Sequence, residues 1–179
     1  MYDRLLFLDI DGVVNTVMIW DSPENLSKST VYKDGYYFEL CHPGDNKVSN
    51  KQAMLWVSKL CTDYDLSVII TSTWLIGNDY RKIAEALYNS GLSREVQVLG
   101  GINKNYGHSR GWQIEAWFND TKLNPDQTTM VILDDDSDMV GYTKDFSKYL
   151  IQCSNTNGFT HIEYIKASKL LDEQFNSGE

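Results

Sequence analysis

The chain has 179 residues, which suits one domain with one substantial core and leaves little room for a second. Hydrophobic residues make up 42% and charged residues 23%, which excludes a disordered chain, and no apolar run approaches the length of a membrane helix. The net charge of −9 and the pI of about 4.7 argue against holding long nucleic acid by neutralising its phosphates, but not against a small anionic substrate at a local cation.

Short apolar runs along the chain predict the strands of a buried parallel sheet, because the strands of such sheets are covered on both faces. Three runs are continuous: Arg4 to Leu8, Leu66 to Ile70 and Met130 to Leu133. Val96 to Leu99 and Tyr149 to Cys153 are two further candidates.

Helical patterns lie between these runs, and each begins at a residue that can cap a helix. The predicted caps are Ser49, Asn78, Ser109 and Thr160, the last with Glu163 in a capping box. The predicted inward faces are Ala53, Val57, Leu60 and Cys61; Ile83, Ala84 and Leu87; Ile114, Trp117 and Phe118; and Ile162, Ile165, Leu170 and Leu171. Strands that alternate with helices predict a doubly wound α/β domain with a parallel sheet, whose ligand lies beyond the carboxyl ends of the strands.

Residues 16 to 48 interrupt this alternation directly after the first strand. They contain the aromatic stretch VYKDGYYFEL, in which DG between two strand-like halves is a hairpin signal. A segment of this length predicts a flap over the site, and a surface loop with aromatic side chains folded onto the core is an equally good interpretation. We therefore expect a single domain over residues 1–179 with a flap insertion at about 16–48.

The chain shows no signal peptide before the first strand, so the cytoplasm is the expected compartment. The three cysteines, Cys41, Cys61 and Cys153, are odd in number and lack metal-ligand spacing, which favours reduced, buried thiols. Nothing in the pattern selects an oligomeric state.

Two carboxylates end the first strand, in LLFLDIDG. Asp9 and Asp11 are two residues apart, so in an extended strand they would point the same way, and Gly12 then allows a sharp turn. Two like charges held together favour either a shared cation such as Mg²⁺ or a protonated carboxyl that can act as a general acid. Taken alone, the same residues are also compatible with a simple turn.

Three further positions support a phosphate site. Thr71 and Ser72 follow the second strong run, where hydroxyl and backbone N–H groups can hold a phosphate oxygen, although Thr also ends strands or caps helices. Arg110 lies in the first turn of a helix, the unfavourable end for a cation unless it faces an anion. Lys104, in the preceding loop, is the alternative cation, and a solvated surface arginine is also a fair interpretation of Arg110.

The acids of VILDDDSD follow the last continuous apolar run. Asp134, Asp135, Asp136 and Asp138 are so dense that a cation is expected among them. A calcium loop is excluded, because Met139 and Asp145 stand where it needs Gly and Glu.

The order of these elements resembles the four motifs of haloacid dehalogenase (HAD) superfamily phosphohydrolases. DIDGVVN at 9–15, a strand ending in Thr71, the basic Arg110 and LDDD at 133–136 come in the family's order and approximate spacing. The resemblance covers roughly residues 4 to 175, apart from the flap, and implies a HAD-like Rossmannoid fold.

A closer resemblance rests on TSTW at 71–74, RGWQIEAWF at 110–118 and VILDDDSDM at 131–139. These stretches are similar to the HAD domain found in Swiss Army Knife RNA repair proteins and in small stand-alone relatives.

The resemblance implies two-step phosphoryl transfer. Asp9 would be the nucleophile that forms an aspartyl-phosphate, and Asp11 would protonate the leaving oxygen and later take a proton from water. Mg²⁺ would be held by Asp9, the backbone carbonyl of Asp11, and Asp134 or Asp135, with Asp138 acting from further out. Thr71, Ser72 and Arg110 would bind the phosphoryl oxygens.

The expected substrate is a nucleotide or a nucleic acid end. Aromatic side chains at Trp20, Tyr36, Tyr37, Phe38 and Trp74 could stack on a base, or simply pack in the core or flap. Another small phosphorylated metabolite or a phosphoprotein is the alternative substrate. A metal-binding or partner-docking module without turnover is the alternative function.

Overall fold

The computed structural model describes residues 4–16, 50–103 and 109–177. The predicted flap, except Thr16, lies outside these residues, as do Ser49, Lys104, Cys41 and the aromatic residues Trp20, Tyr36, Tyr37 and Phe38. In chain order the described elements are β1 Arg4–Leu8, α1 Lys51–Tyr64, β2 Ser67–Ile70, α2 Tyr80–Asn89, β3 Val98–Gly101, α3 Arg110–Thr121, β4 Thr129–Asp134, β5 Leu150–Gln152 and α4 His161–Ser177.

The five strands form one parallel sheet in the order β3-β2-β1-β4-β5. Strand β1 lies in the centre, paired with β2 on one side and with β4 on the other. The predicted α/β fold with a doubly wound parallel sheet is therefore confirmed. Because β1 and β4 are neighbours, the acidic segments that follow them emerge side by side at the carboxyl edge of the sheet.

Alternation along the strands assigns side chains to two core layers. Leu6 and Leu8 of β1 pack in a cluster with residues of α1, α2 and α4, whereas Leu5 and Phe7 pack with Ile114 and Phe118 of α3. Successive side chains of a strand point to opposite faces, so helices on both sides are needed to bury β1 completely. Helix α3, which carries Arg110, is thereby fixed against one face of the central strand.

The predicted inward face of α4 is partly wrong. Ile162 and Ile165 are 63% and 53% exposed, while Ala167 and Leu171 are buried. Ala167 and Leu171 are four residues apart and lie on one side of the helix, and Ile165 is about 200° around the helix from Ala167. The inward faces predicted for α1 and α2 are buried as expected, and so are Ile114 and Phe118 of α3.

Two of the predicted helix caps are displaced by one residue. Asn50, not Ser49, caps α1 by accepting from the Ala53 N–H at 3.1 Å. Asp79, not Asn78, caps α2 by accepting from the Arg81 N–H at 2.8 Å. In each case the side chain directly before the first helical residue accepts from a backbone N–H that has no partner within the helix.

The other two caps are confirmed. The Ser109 hydroxyl oxygen accepts from the Trp112 N–H at 3.3 Å. At the start of α4, the Thr160 hydroxyl accepts from the Ile162 N–H, and Glu163 reaches back to the Thr160 N–H at 3.1 Å. This reciprocal arrangement is the predicted capping box.

The loop after β4 is attached to helix α3 by several hydrogen bonds. The Gly111 N–H donates to the Asp138 carbonyl at 3.0 Å, and the Ser109 hydroxyl donates to the Val140 carbonyl at 3.1 Å. The buried Glu115 carboxylate accepts from the Thr143 backbone N–H, at 3.1 and 3.0 Å to its two oxygens, and from the Thr143 hydroxyl. The acidic segment is thus held by the helix that carries Arg110.

Cys61 and Cys153 are buried free thiols, as predicted. Burial raises the pKa of Cys61 to about 12, so this side chain stays protonated and serves as a small apolar group. Among the helices of the described residues, none combines the length and apolarity needed to cross a membrane.

Replacing Gly111 with alanine should destabilise the protein. A Cβ at this position would overlap the carbonyl of Met139 and the backbone of Val140, whose loop cannot move away without losing its contacts with α3. In an unconstrained helix the same change would stabilise the protein by about 1 kcal/mol. A loss of stability would therefore identify the close contact between Gly111 and the loop. We expect a loss of about 2 kcal/mol in the free energy of unfolding, measured by urea denaturation. Gly100→Ala is the matched control, because a Cβ there meets nothing within 4 Å.

Glu115→Gln should remove stability in a pH-dependent way. Burial alone would raise the pKa of Glu115, but hydrogen bonds from the Thr143 side chain and from the backbone of the same loop lower it overall. The charged carboxylate therefore stabilises the fold above the ordinary glutamate pKa, and this contribution disappears as pH falls through the lowered value. We expect Glu115→Gln to cost about 1–2 kcal/mol at neutral pH and much less in acid, as measured by denaturation at several pH values. A pH-independent difference would contradict the assignment.

Candidate active site

The predicted site residues come together at the carboxyl edge of the sheet. Asp9 directly follows β1, Thr71 directly follows β2, and Asp134 is the last residue of β4. Arg110 is the first residue of α3 and reaches this edge from one face of the sheet. The central three strands therefore each contribute one residue, and the helix contributes the cation.

Arg110 contacts each of the other three residues. Its Nε donates to Asp134 Oδ2 at 2.7 Å and its Nη2 donates to Asp9 Oδ1 at 3.3 Å, while Nη1 donates to the Thr71 carbonyl. Its side chain is only 12% exposed. Burial would lower the pKa of Arg110, but the charges of Asp9 and Asp134 raise it, so the guanidinium is firmly charged.

The unfavourable position of Arg110 at a helix N-terminus is compensated locally. Asp138 Oδ2 accepts from the Arg110 backbone N–H at 3.0 Å, which places a carboxylate at the positive end of the helix. Burial raises the pKa of Asp138, an effect partly offset by that hydrogen bond. Asp138 therefore holds the start of α3 and lies outside the three-carboxylate group, which suits its predicted place at a distance from the metal.

Three carboxylates form a compact group. Oxygens of Asp9, Asp134 and Asp135 all lie within 4.8 Å of one another, with Asp9 and Asp134 buried and Asp135 half-buried. Asp134 also accepts from the Asp136 backbone N–H at 3.0 Å through Oδ1. Burial and the neighbouring charge of Asp134 raise the pKa of Asp135. Such a concentration of carboxylate oxygens matches the ligand preference of Mg²⁺, so the residues fit the predicted metal.

Gly12 makes the approach of the two acidic segments possible. It has a φ of +79°, and a Cβ at this position would overlap the Asp135 carboxyl group. The turn after β1 can therefore pass directly against the loop after β4 only with glycine at this position.

Asp11 follows a turn after β1 and has hydrogen-bond partners of its own. Strand β1 ends at Leu8 and the chain turns, with the Ile10 carbonyl accepting from the backbone N–H of Asn15 at 2.9 Å. Residues 9 to 11 do not continue the strand, so the side-chain alternation that predicted a shared direction for Asp9 and Asp11 is absent there. Asp11 Oδ1 accepts from Asn15 Nδ2 at 2.8 Å, and Oδ2 accepts from the Trp74 indole Nε1 at 3.0 Å.

The electrostatic surroundings of Asp11 differ from those of Asp9. Burial raises the pKa of Asp11, and the hydrogen bonds from Asn15 and Trp74 lower it only in part. Asp9 instead faces the positive charge of Arg110 at 3.3 Å. A carboxyl with a raised pKa can hold and release a proton, whereas a carboxylate beside a cation favours the ionised form.

Thr71 and Ser72 are both completely buried. The Thr71 backbone N–H donates to the Leu8 carbonyl at 2.8 Å, which extends the β1–β2 pairing by one residue. The Ser72 hydroxyl oxygen caps the 3₁₀ turn Thr73–Leu75 by accepting from the Trp74 N–H at 3.4 Å. Ser72 thus has a structural partner, and phosphate binding by this pair stays a prediction.

A cavity of about 570 Å³ opens at the same edge, beside that 3₁₀ turn. It lies between the segment that follows β2 and the end of β3, where the Ile102 N–H donates to the Ile70 carbonyl at 2.9 Å. Residues that line it include Leu75, Ile76, Asn78, Tyr80, Ile102 and Asn103. Its volume falls within the roughly 300–1,000 Å³ typical of small-molecule sites.

The sequence did not predict the partners of Asp11 or the role of Glu115. Asn15 is four residues beyond Asp11 in DIDGVVN, and a turn at Gly12 could have suggested that the Asn15 amide returns to the Asp11 carboxyl group. Trp74 was considered for stacking on a base, but its ring packs partly against the core and its N–H binds Asp11.

Comparison with known proteins gives one match. Residues 5–163 match the family model described as the HAD domain in Swiss Army Knife RNA repair proteins. No curated protein and no solved structure matches the chain. The match begins within β1 and continues beyond β5, and its HAD identity supports phosphohydrolase activity, with which the buried acidic group is compatible. The chain therefore belongs to the family of HAD domains in Swiss Army Knife RNA repair proteins.

Proposed function

We propose that the chain is a Mg²⁺-dependent phosphomonoester hydrolase that works through a covalent aspartyl-phosphate on Asp9. The observation that carries the proposal is the contrast between two neighbouring acids. Asp9 lies against a buried guanidinium and two other carboxylates, whereas Asp11 is held by two neutral N–H donors. One acid is thereby suited to attack as an anion and the other to carry a proton.

In the first half-reaction an Asp9 carboxylate oxygen attacks phosphorus. The new O–P bond forms as the bond to the ester oxygen breaks, and the proton of Asp11 passes to that departing oxygen. The products are an alcohol, the aspartyl-phosphate and an ionised Asp11.

In the second half-reaction a water molecule attacks the phosphorus of the aspartyl-phosphate. Asp11 takes a proton from this water, the O–P bond to Asp9 breaks, and inorganic phosphate leaves. Asp9 is again a carboxylate and Asp11 again carries a proton, so both residues return to their starting states.

The carboxylates of Asp9, Asp134 and Asp135, with the backbone carbonyl of Asp11, would hold Mg²⁺. Asp134 already accepts hydrogen bonds at both oxygens, from Arg110 and from the Asp136 N–H. Asp135 is therefore the more available of the two adjacent carboxylates as a direct Mg²⁺ ligand. The chemistry that Mg²⁺ supplies in such a site is neutralisation of charge on the phosphoryl oxygens. Arg110, with Thr71 and Ser72, would bind the same oxygens and add to this stabilisation.

For the substrate we propose a nucleotide or a nucleic acid end. The cavity lined by Leu75 offers an aromatic ring at Tyr80 and amide groups at Asn78 and Asn103, a mixture that suits a nucleoside. Its volume is sufficient for one such group. The net charge of −9 favours a short substrate over binding along a long polynucleotide.

Hydrolysis of p-nitrophenyl phosphate tests the reaction. We expect turnover that stops with EDTA and returns with Mg²⁺, and that falls by at least about 1,000-fold in Asp9→Asn because the nucleophile is lost. Asp120→Asn, at an exposed position near the end of α3, is the control and should keep full activity. No Mg²⁺-dependent turnover by the wild-type chain on this ester or a wider panel would favour a module without catalysis.

A substrate panel tests the specificity. We expect nucleoside monophosphates or oligonucleotides with a 3′ or 5′ phosphate to give kcat/KM values at least about tenfold above glycerol phosphate, because only the former can fill the cavity. A steep fall of oligonucleotide activity with salt would identify a polynucleotide end, since counterion release then contributes to binding. A sugar phosphate or phosphopeptide as the best substrate would contradict the proposal. Asp9→Asn, tested on each compound, excludes a contaminating phosphatase.

A further inference from the structure

Trp74 contacts the proposed proton carrier from a distant part of the chain. Its indole Nε1–H donates to Asp11 Oδ2 at 3.0 Å, across 63 residues of sequence. Asn15 Nδ2 donates a hydrogen bond to the other carboxyl oxygen, Oδ1, at 2.8 Å. Each oxygen of Asp11 therefore has one fixed donor, and rotation of the carboxyl group would break both hydrogen bonds.

The Trp74 backbone is itself held on both sides. Its N–H donates to the Ser72 hydroxyl oxygen at 3.4 Å, and its carbonyl accepts from Asn78 Nδ2 at 3.0 Å. The ring packs against the core cluster that contains Leu8 and Ile70. The indole N–H is therefore positioned before any substrate arrives, which is the condition for a useful contribution to catalysis.

The donor is also of the right chemical kind. An indole N–H cannot accept a proton and carries no charge, so it cannot take the proton that Asp11 must transfer. A lysine or arginine at this point would instead add a fixed positive charge, as Arg110 does for Asp9. The hydrogen bond thus fixes the carboxyl group in place without competing for its proton.

We propose that Trp74 is a positioning residue that aims the Asp11 carboxyl group at the leaving oxygen. The inference rests on the phosphatase function proposed above. Trp74 touches neither phosphorus nor the leaving oxygen in this scheme. It acts only through Asp11, whose proton passes to the departing oxygen as the P–O bond breaks.

The experiment compares two leaving groups. A phenol with an electron-withdrawing group departs with little help from an acid, whereas an alkyl alcohol needs the proton as the P–O bond breaks. We measure kcat/KM for p-nitrophenyl phosphate and for an alkyl phosphate, because this parameter covers only the steps through departure of the first product. Later hydrolysis of the aspartyl-phosphate does not affect it.

Trp74→Phe removes the N–H and keeps an aromatic ring. We expect kcat/KM to fall by about 10-fold or more on the alkyl phosphate and by less than about threefold on p-nitrophenyl phosphate. A purely structural role would lower both by the same factor. Trp112→Phe is the matched control, since Trp112 is 46% exposed and packs edge-on against Tyr142, and it should change neither value.

A second measurement does not depend on activity. The chain has five tryptophans, so its indole N–H resonances form a small set in a ¹⁵N-correlated NMR spectrum. The signal lost in Trp74→Phe belongs to Trp74, and Asp11→Asn should shift that signal, because the carboxyl group that accepts its hydrogen bond is replaced by an amide.

The outcomes separate this inference from the proposed function. Turnover by the wild type, with equal losses on both substrates or no loss in Trp74→Phe, would overturn the positioning role and leave the phosphatase intact. An unmoved Trp74 resonance in Asp11→Asn would overturn it as well. Absence of turnover in the wild type would instead overturn the phosphatase proposal and this role with it.

Discussion

The buried contact of Arg110 with Asp9 and Asp134 is the interaction on which the rest of the site depends. Strands β1 and β4 are neighbours, so their terminal acids would repel each other in a region largely removed from water. One guanidinium between them offsets that repulsion and also binds the Thr71 carbonyl after β2. Removing one partner from a buried pair of this kind costs about 3–5 kcal/mol, since the remaining charge is left uncompensated. The position of helix α3 is therefore an electrostatic requirement as well as a packing one.

The carboxyl edge of the sheet gives two chemically similar residues different surroundings. Asp9 and Asp11 are separated by one residue, but the turn after β1 sends one towards a cation and the other towards neutral donors. Burial raises the pKa of Asp11, and its neutral donors offset this only in part, whereas Asp9 lies 3.3 Å from the positive charge of Arg110. The difference comes from the backbone path between residues 8 and 15, which is set by the end of the strand and the φ of Gly12.

Much of the fold was predictable from local pattern. Strand β1 was predicted to the residue and the bounds of the other four strands to within two, because strands covered on both faces produce continuous apolar runs. The acids could be assigned to one edge because the carboxyl ends of the strands in such a fold face the ligand, and Arg110 because a cation in the first turn of a helix is expected to face an anion. The hydrogen-bond partners of the side chains were not predictable, because no local pattern encodes them. Trp74 and Asp11 are 63 residues apart in the chain. Glu115 and Thr143 are 28 residues apart. The exposed faces of Ile162 and Ile165 were missed because apolar spacing alone does not say which side of α4 meets the sheet.

The contact between Gly12 and Asp135 has a consequence for how such a site can change. With no room for even a methyl group between the two segments, the turn after β1 and the loop after β4 cannot be varied independently. A residue with a Cβ at position 12 would be strained by the φ of +79° and would also push the Asp135 side chain out of the acidic group. The two segments are more than a hundred residues apart in the chain, but a change in one of them requires a compensating change in the other. Transplanting either one alone into a related scaffold would carry over the residues without the geometry that makes them useful.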